Sequence, residues 1–200
     1  IVRRGLGLFF KGVIGVVMLV LILTIAYGVI NPPTTPYMFV EGRRHGGVDH
    51  EWVAIDDIAP VMARSAVAAE DANFCLHWGL DVRAIRAALD EGSTRGASTI
   101  SQQVVKNVYL WQGRSWVRKA SEALWTPLSE AVWSKRRILE LYLNVAEFDK
   151  GVFGVQAAAT GVNATALGRT ALAGDQSTAV GSFAKATGTS SAALGVLSEA

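Results

Sequence analysis

Two hundred residues allow one core domain with appendages. A formal net charge of +2 gives no argument for nucleic acid as a partner, since Arg3, Arg4 and Lys11 account for more than all of it. A single cysteine, Cys75, excludes an internal disulfide framework. Half the residues (50%) are hydrophobic, which is high for a soluble domain, and much of the excess lies near the N-terminus.

The chain begins at Ile1 rather than Met and ends at Ala200 inside a repeating pattern, which predicts a fragment or a spliced product. Residues 1–11 are a short basic lead. Residues 12–30 (GVIGVVMLVLILTIAYGVI) carry no charge and are about the length that spans a ~30 Å hydrocarbon core as a helix. A cleaved signal peptide is the alternative, but the run is long for one and no A-x-A site follows. Basic residues precede the run, so the N-terminus is expected in the cytoplasm and the chain beyond Asn31 outside. A synthetic enzyme placed there has no ATP pool and needs a pre-activated donor.

Residues 31–51 form a linker and membrane-proximal segment. NPPTTP is a stiff, extended exit, and the stretch to Glu51 reads as irregular. A helix is expected from Pro60, with proline in its first turn. A second runs over Asp81–Leu89 under an Asp81 cap. A third runs over Ser101–Leu110, opened by a Thr99/Gln102 capping box. Ser115–Asn144 is a long helical stretch that Pro127 should kink or split.

From residue 160 the composition changes to glycine, alanine and serine. Gly174 and Gly188 are fourteen apart, as are Gly181 and Gly195, whereas Gly168 and Gly181 are thirteen apart. Small residues alternating between turn glycines suit short strands in a stacked coil, whose units need neighbours. A low-complexity linker is the plainer reading.

Five blocks carry the functional signal: EDANFCLHWGLD (70–81), GASTISQQVVKN (96–107), RKASE (118–122), KRRILELYLN (135–144) and GVFGVQAAA (151–159). Each is weak alone, but their order and spacing are specific. Together they resemble the glycosyltransferase domain of monofunctional biosynthetic peptidoglycan transglycosylases (glycosyltransferase family 51), over residues ~45–159 plus the anchor. The resemblance implies a mainly α-helical, lysozyme-like domain over 52–159 with a small membrane-facing lobe. Residues 160–200 resemble the head repeats of trimeric autotransporter adhesins, which implies a short β-roll and trimerisation.

The implied reaction is attack of a sugar 4-hydroxyl on an anomeric carbon bearing a lipid diphosphate. It needs a carboxylate base within hydrogen-bond reach and cations where charge grows on the leaving group. The resemblance assigns the base to Glu70; a solvated helix-end carboxylate is the bland alternative. Asp71 orients Glu70 or bonds local backbone. His77 reads as a hydrogen-bonded structural residue, and Phe74 and Trp78 as packing. Gln103, Lys106 and Asn107 suit phosphate or sugar contacts, against a solvated helix face. Ser98 and Thr99 either bind substrate at a helix N-terminus or simply cap it. Arg118 and Lys119 would grip the diphosphate, with Glu122 as a second carboxylate holding those cations or a metal ion; a surface ion pair is the alternative. Lys135, Arg136 and Arg137 can be read as a membrane-surface patch. Lys135 and Glu140 are expected to be architectural and Asn144 to close a helix end. The six tryptophans are left unassigned between core and membrane interface.

The expected enzyme polymerises lipid II with inversion, releases undecaprenyl diphosphate, and sits in a bacterial inner membrane as a single-pass protein. Its partners are lipid II, the growing glycan strand and cell wall synthesis proteins. No cofactor is assigned; Mg or Mn at the diphosphate is the one candidate, without a dedicated ligand cluster. Two other readings are a membrane-tethered adhesin-like fusion carrying an inactive remnant, and a lytic hydrolase. The paired QQ-x-x-KN and RK-x-x-E segments speak against the hydrolase, which needs no diphosphate clamp. The family continues past residue 159 with further helices, so the junction near 159–161 reads as a fusion.

Overall fold

A computed structural model describes residues 2–90, 98–113, 115–158 and five short strands beyond. It is mainly helical. The elements are α1 (Val2–Tyr27), α2 (Pro36–His45), β1 (Asp49–His50), α3 (Pro60–Glu70), α4 (Val82–Asp90), α5 (Ile100–Tyr109), α6 (Trp116–Val132), α7 (Lys135–Val145), β2 (Glu147–Asp149), β3 (Val152–Phe153) and α8 (Gly154–Ala158). The tail adds β4 (Thr165–Leu167), β5 (Leu172–Ala173), β6 (Thr178–Val180), β7 (Lys185–Ala186) and β8 (Ala192–Leu194).

Helix α5 is the centre. Ile100, Val104 and Val108 recur on one stripe and are buried, and α5 packs against α2, α6 and α7. Ile138, Leu141 and Val145 of α7 supply the facing stripe. A small sheet ordered β1-β3-β2 closes one side. Gly154, which opens α8, has φ +83°, and a Cβ there would lie 2.9 Å from the Asn144 carbonyl oxygen. The second glycine of GVFGVQAAA is thus fixed by close packing on α7.

Two boundaries differ from the sequence reading. The stretch before Glu51 is not wholly irregular, because α2 forms there. Thr35 accepts the Met38 N–H, Pro36 occupies the first turn, and Gly46 ends the helix in the left-handed region. The long helix over 115–144 breaks at Trp133–Ser134 and runs through Pro127. Ser134 accepts the Arg137 N–H and starts α7. At Pro127 the chain loses one donor, while Thr126 donates to the Glu122 carbonyl at 2.6 Å in the same turn. The Thr99/Gln102 capping box and the Asp81 cap are present.

Asn144 does not close a helix end. Its side chain is fully buried; Nδ2 donates to the Val53 and Glu140 carbonyls and Oδ1 accepts the Val53 N–H. It stitches the segment before α3 onto α7. Trp78 is not packing either, being 69% exposed, whereas Phe74 is buried.

The apolar stretch suited to crossing a membrane is Gly7–Tyr27, three residues short of Ile30 at its outer end. Helix α6 is inverted relative to a soluble surface helix. Glu122, Thr126, Ser129 and Glu130 are buried, while Val117, Leu124, Leu128 and Val132 are exposed. The tail forms parallel ladders, β4-β6-β8 and β5-β7. Thr165 pairs with Thr178 and Thr178 with Ala192, so the glycine spacing of thirteen and then fourteen is the strand spacing.

Replacing Asn144 by leucine strands the Val53 N–H and carbonyl and puts a larger apolar side chain in a fully buried site. Loss of about 3 kcal/mol is expected, read as a lower urea midpoint. At α4, hydrogen bonds from the Ala84 N–H (2.9 Å) and the Asn73 amide (2.8 Å) hold the Asp81 carboxyl below its ordinary range. Its contribution is present above the ordinary carboxylate range and is lost as pH falls through the depressed folded value. The stability difference between the parent and Asp81→Asn should therefore shrink in acid; urea midpoints between pH 7 and 2.5 (roughly spanning this range) measure it.

Candidate active site

Helix α3 buries Met62 and Ala66 and ends with Glu70 in solvent. The Glu70 Oε2 accepts a hydrogen bond from Gln103 Nε2 at 2.9 Å, across from α3 to α5. Behind this pair lies Tyr142 of α7, whose phenol is pushed above its ordinary range by burial first and by the Glu70 charge second.

The next residue, Asp71, turns inward. Its Oδ2 accepts the Ile100 N–H at 3.0 Å, at the start of α5. His77 Nε2 lies 3.0 and 3.1 Å from the two Asp71 oxygens, so the ring donates through Nε2. Among the described residues His77 Nδ1 is buried with no partner. The His77 carbonyl accepts from Lys135 Nζ at 2.8 Å, and Lys135 also pairs with buried Glu130 at 2.7 Å and lies over the Phe74 ring. Glu130 in turn accepts from Ser101. The turn after Glu70 is thereby tied to α5, α6 and α7 at once.

Ser115 caps α6 through the Arg118 N–H. One turn on, Glu122 is buried beneath two cations. Arg118 Nη1 lies 2.6 Å from Glu122 Oε2, and Lys119 pairs with Oε1. Arg118 Nε also donates to the Gly113 carbonyl at 2.8 Å, and Lys119 Nζ lies 3.2 Å from Ser98 Oγ. Two cations on one anion leave the cluster net positive at the α5 N-terminus, where the helix dipole also favours an anion.

Glu70 with Gln103, and Lys119 with Ser98, thus meet on a common rail. Ser98 lies just before the Thr99 cap and Gln103 in the first turn and a half of α5. Lys106 follows Gln103 one turn along the same helix and is half-buried. Thr99 and Asn107 are not on the open side. Thr99 accepts the Gln102 N–H and donates to the Gly79 carbonyl. Asn107 is buried, donates to the Val145 carbonyl at 3.2 Å and accepts from Gln112. Capping and helix-to-helix bonding engage the polar atoms of both side chains. Tyr142 and the Asp71–Ile100 bond were not anticipated; the E-D pair at a helix end was the only available hint of the second.

The donor set does not fit a resident divalent ion. Both Glu122 oxygens are engaged by cations, and no group of three or more candidate ligands is found among the described residues.

Comparison with known proteins is consistent with this geometry. A family profile described as Transglycosylase matches residues 40–180, and one described as YadA head domain repeat matches 173–198 in two copies. A biosynthetic peptidoglycan transglycosylase of Jannaschia sp. is 61% identical over 149 residues, covering 74% of this chain and 62% of that protein. One from Xanthomonas campestris pv. campestris is 51% identical over 146 residues, covering 68% and 59%. One from Caulobacter vibrioides is 45% identical over 158 residues, covering 77% and 67%. The chain spans about three fifths of the length of the first two of these relatives. On the extent of the profile match and on these identities, the chain belongs to the transglycosylase family.

Proposed function

We infer that the chain is a peptidoglycan glycosyltransferase that polymerises lipid II at a membrane surface. The observation that carries this is the shared start of α5: an exposed carboxylate bonds Gln103 in α5, and a net-positive cluster bonds Ser98 just before its cap. Glu70 takes the proton of the acceptor 4-hydroxyl as that oxygen forms its bond to the anomeric carbon. The bond from that carbon to the diphosphate oxygen breaks, the carbon inverts, and undecaprenyl diphosphate leaves. Arg118 and Lys119, held by Glu122, meet the negative charge that grows on the leaving oxygen. Gln103 and Ser98 orient the base and one cation, and Lys106 adds positive charge one turn along α5.

Localisation follows from the same reading. Helix α1 is long and apolar enough to cross a membrane, and the apolar outer face of α6 suits contact with lipid. The N-terminus is cytoplasmic by the charge rule and the helical domain lies outside the inner membrane. The growing glycan strand and other cell wall synthesis proteins are its partners there. The match of the tail to head repeats supports self-association through the tail.

Glu70→Gln should lower polymer formation from lipid II in detergent by about 10²–10⁴-fold with an unchanged melting temperature, since Glu70 is exposed. Retained polymerisation would remove the base from the mechanism. Lys119, 42% exposed, and Arg118, 13% exposed, should separate in their effects. Lys119→Ala lowers turnover roughly 10²-fold through lost charge stabilisation with little change in melting. Arg118→Ala lowers both, because Arg118 is itself largely buried and also holds the Gly113 carbonyl, so its loss leaves buried Glu122 with only the more exposed Lys119. Paired turnover and thermal-melting assays distinguish the two.

A further inference from the structure

The C-terminal end of α1 is closed by the helical domain. A helix leaves its last four carbonyls without internal partners. In α1, Ile25 and Ala26 are satisfied by the turn that follows, from the N–H groups of Gly28, Val29 and Ile30. The other two are satisfied from outside. Trp133 Nε1 donates to the Thr24 carbonyl at 2.7 Å, and Arg137 Nε donates to the Tyr27 carbonyl at 2.9 Å. Arg137 also donates through Nη2 to the Ile30 carbonyl at 2.8 Å and through Nη1 to Glu140 at 2.6 Å, and its guanidinium lies over the Trp52 ring. Its side chain is 11% exposed. Thr24 is buried and bonds the Tyr109 hydroxyl at 3.0 Å, and the rings of Tyr27, Tyr109 and Trp133 stack in series. Gly28 lies against Trp133, where a Cβ would sit 3.5 Å from Cδ1.

We propose that Arg137, assisted by Trp133, is a positioning residue that clamps the membrane helix to the catalytic domain, so that α1 sets the domain's orientation on the bilayer and is not a passive tether. This rests on the reading above, that the donor is presented from a membrane. Arg137 is therefore not part of a lipid-surface patch with Arg136; its donors are spent on α1. The charge is suited to the task, since a cation at a helix C-terminus is favoured by the helix dipole.

The lever is long. Trp133 sits at the end of α6 that meets α1, and Arg118 lies fifteen residues away, or ~22 Å along the axis. A rotation of about 10° about the clamped end moves Arg118 by roughly 4 Å, further than an ion pair tolerates. A loose joint would let the cation cluster wander relative to the plane in which a lipid diphosphate lies.

The test uses the full chain in vesicles of phosphatidylethanolamine and phosphatidylglycerol, with Cys75→Ser removing the native thiol. Spin labels at Ile14→Cys on α1 and Asp90→Cys on α4 report the distance distribution. A narrow distribution is expected in the parent, at least about twofold broader in Arg137→Gln. Polymerisation of lipid II in vesicles should fall about tenfold in Arg137→Gln. With a short-chain, water-soluble analogue in detergent, both proteins should agree within about twofold, because no bilayer then fixes the donor. Trp133→Phe, which removes the indole N–H and part of the ring volume but keeps an aromatic ring in the stack, should shift both readouts the same way by less. An unchanged distance distribution, or a loss of activity equal in vesicles and detergent, overturns the proposal. An inactive parent defeats the glycosyltransferase reading instead, and the label distances still decide the clamp.

Discussion

The N-terminus of α5 is buried, and its N–H groups need partners that are not water. How they are met organises the site. Thr99 takes the N–H of Gln102, Gln102 returns a bond to Thr99, and Asp71 takes the N–H of Ile100. Asp71 immediately follows Glu70, so satisfying α5 also fixes where the exposed carboxylate begins. Ser98, just outside the cap, is left to meet Lys119. An exposed carboxylate on one side and a cation on the other are held by one helix start.

The inverted polarity of α6 has the same logic. A helix with buried Glu122 and Glu130 and an apolar outer face is unstable as a free surface element, because both faces sit in the wrong medium. Inside, each carboxylate is compensated: Glu122 by Arg118 and Lys119, Glu130 by Lys135 and Ser101. Outside, Val117, Leu124 and Leu128 are exposed, and in the function proposed above lipid replaces water as their medium. The junction at Trp133 joins this helix to α1, so the two apolar surfaces belong to one body.

Much of this was legible in the sequence. Local chemistry read well: the capping box at Thr99, the Asp81 cap, and strands at the thirteen- and fourteen-residue glycine spacing. Two further caps carry a sequence signature, Thr35-Pro36 and Ser134, but glycine-rich composition and Pro127 nearby point towards other boundaries. Pro127 does not split the helix, because the packing of a seventeen-residue helix outweighs the lost donor. Among site residues, spacing along one helix does not say which polar atoms face the solvent. Gln103 reaches the exposed Glu70 carboxylate, while Thr99 and Asn107, equally polar and in the same block, are buried and bonded inside. Contacts between distant segments, such as Trp133 with Thr24 or Asn144 with Val53, leave no local signature.

Burying Glu122 under two cations is costly in stability terms, since replacing such a cluster with apolar side chains is often neutral or stabilising. Its persistence is explained by what it does to the cations. A free arginine and a free lysine would each have to be ordered when a diphosphate arrived, and their reorganisation would be added to the barrier. Here Glu122 orders them during folding, Gly113 and Ser98 each take one further donor, and the surplus positive charge is left beside the start of α5. The same division runs through the whole site. Groups that meet substrate in this reading, Glu70 and Lys119, keep an exposed face, while those that aim them, Asp71, Glu122 and Glu130, are buried and fully partnered. The site's precision is therefore a property of its interior, and the exposed residues can be altered with little effect on the fold.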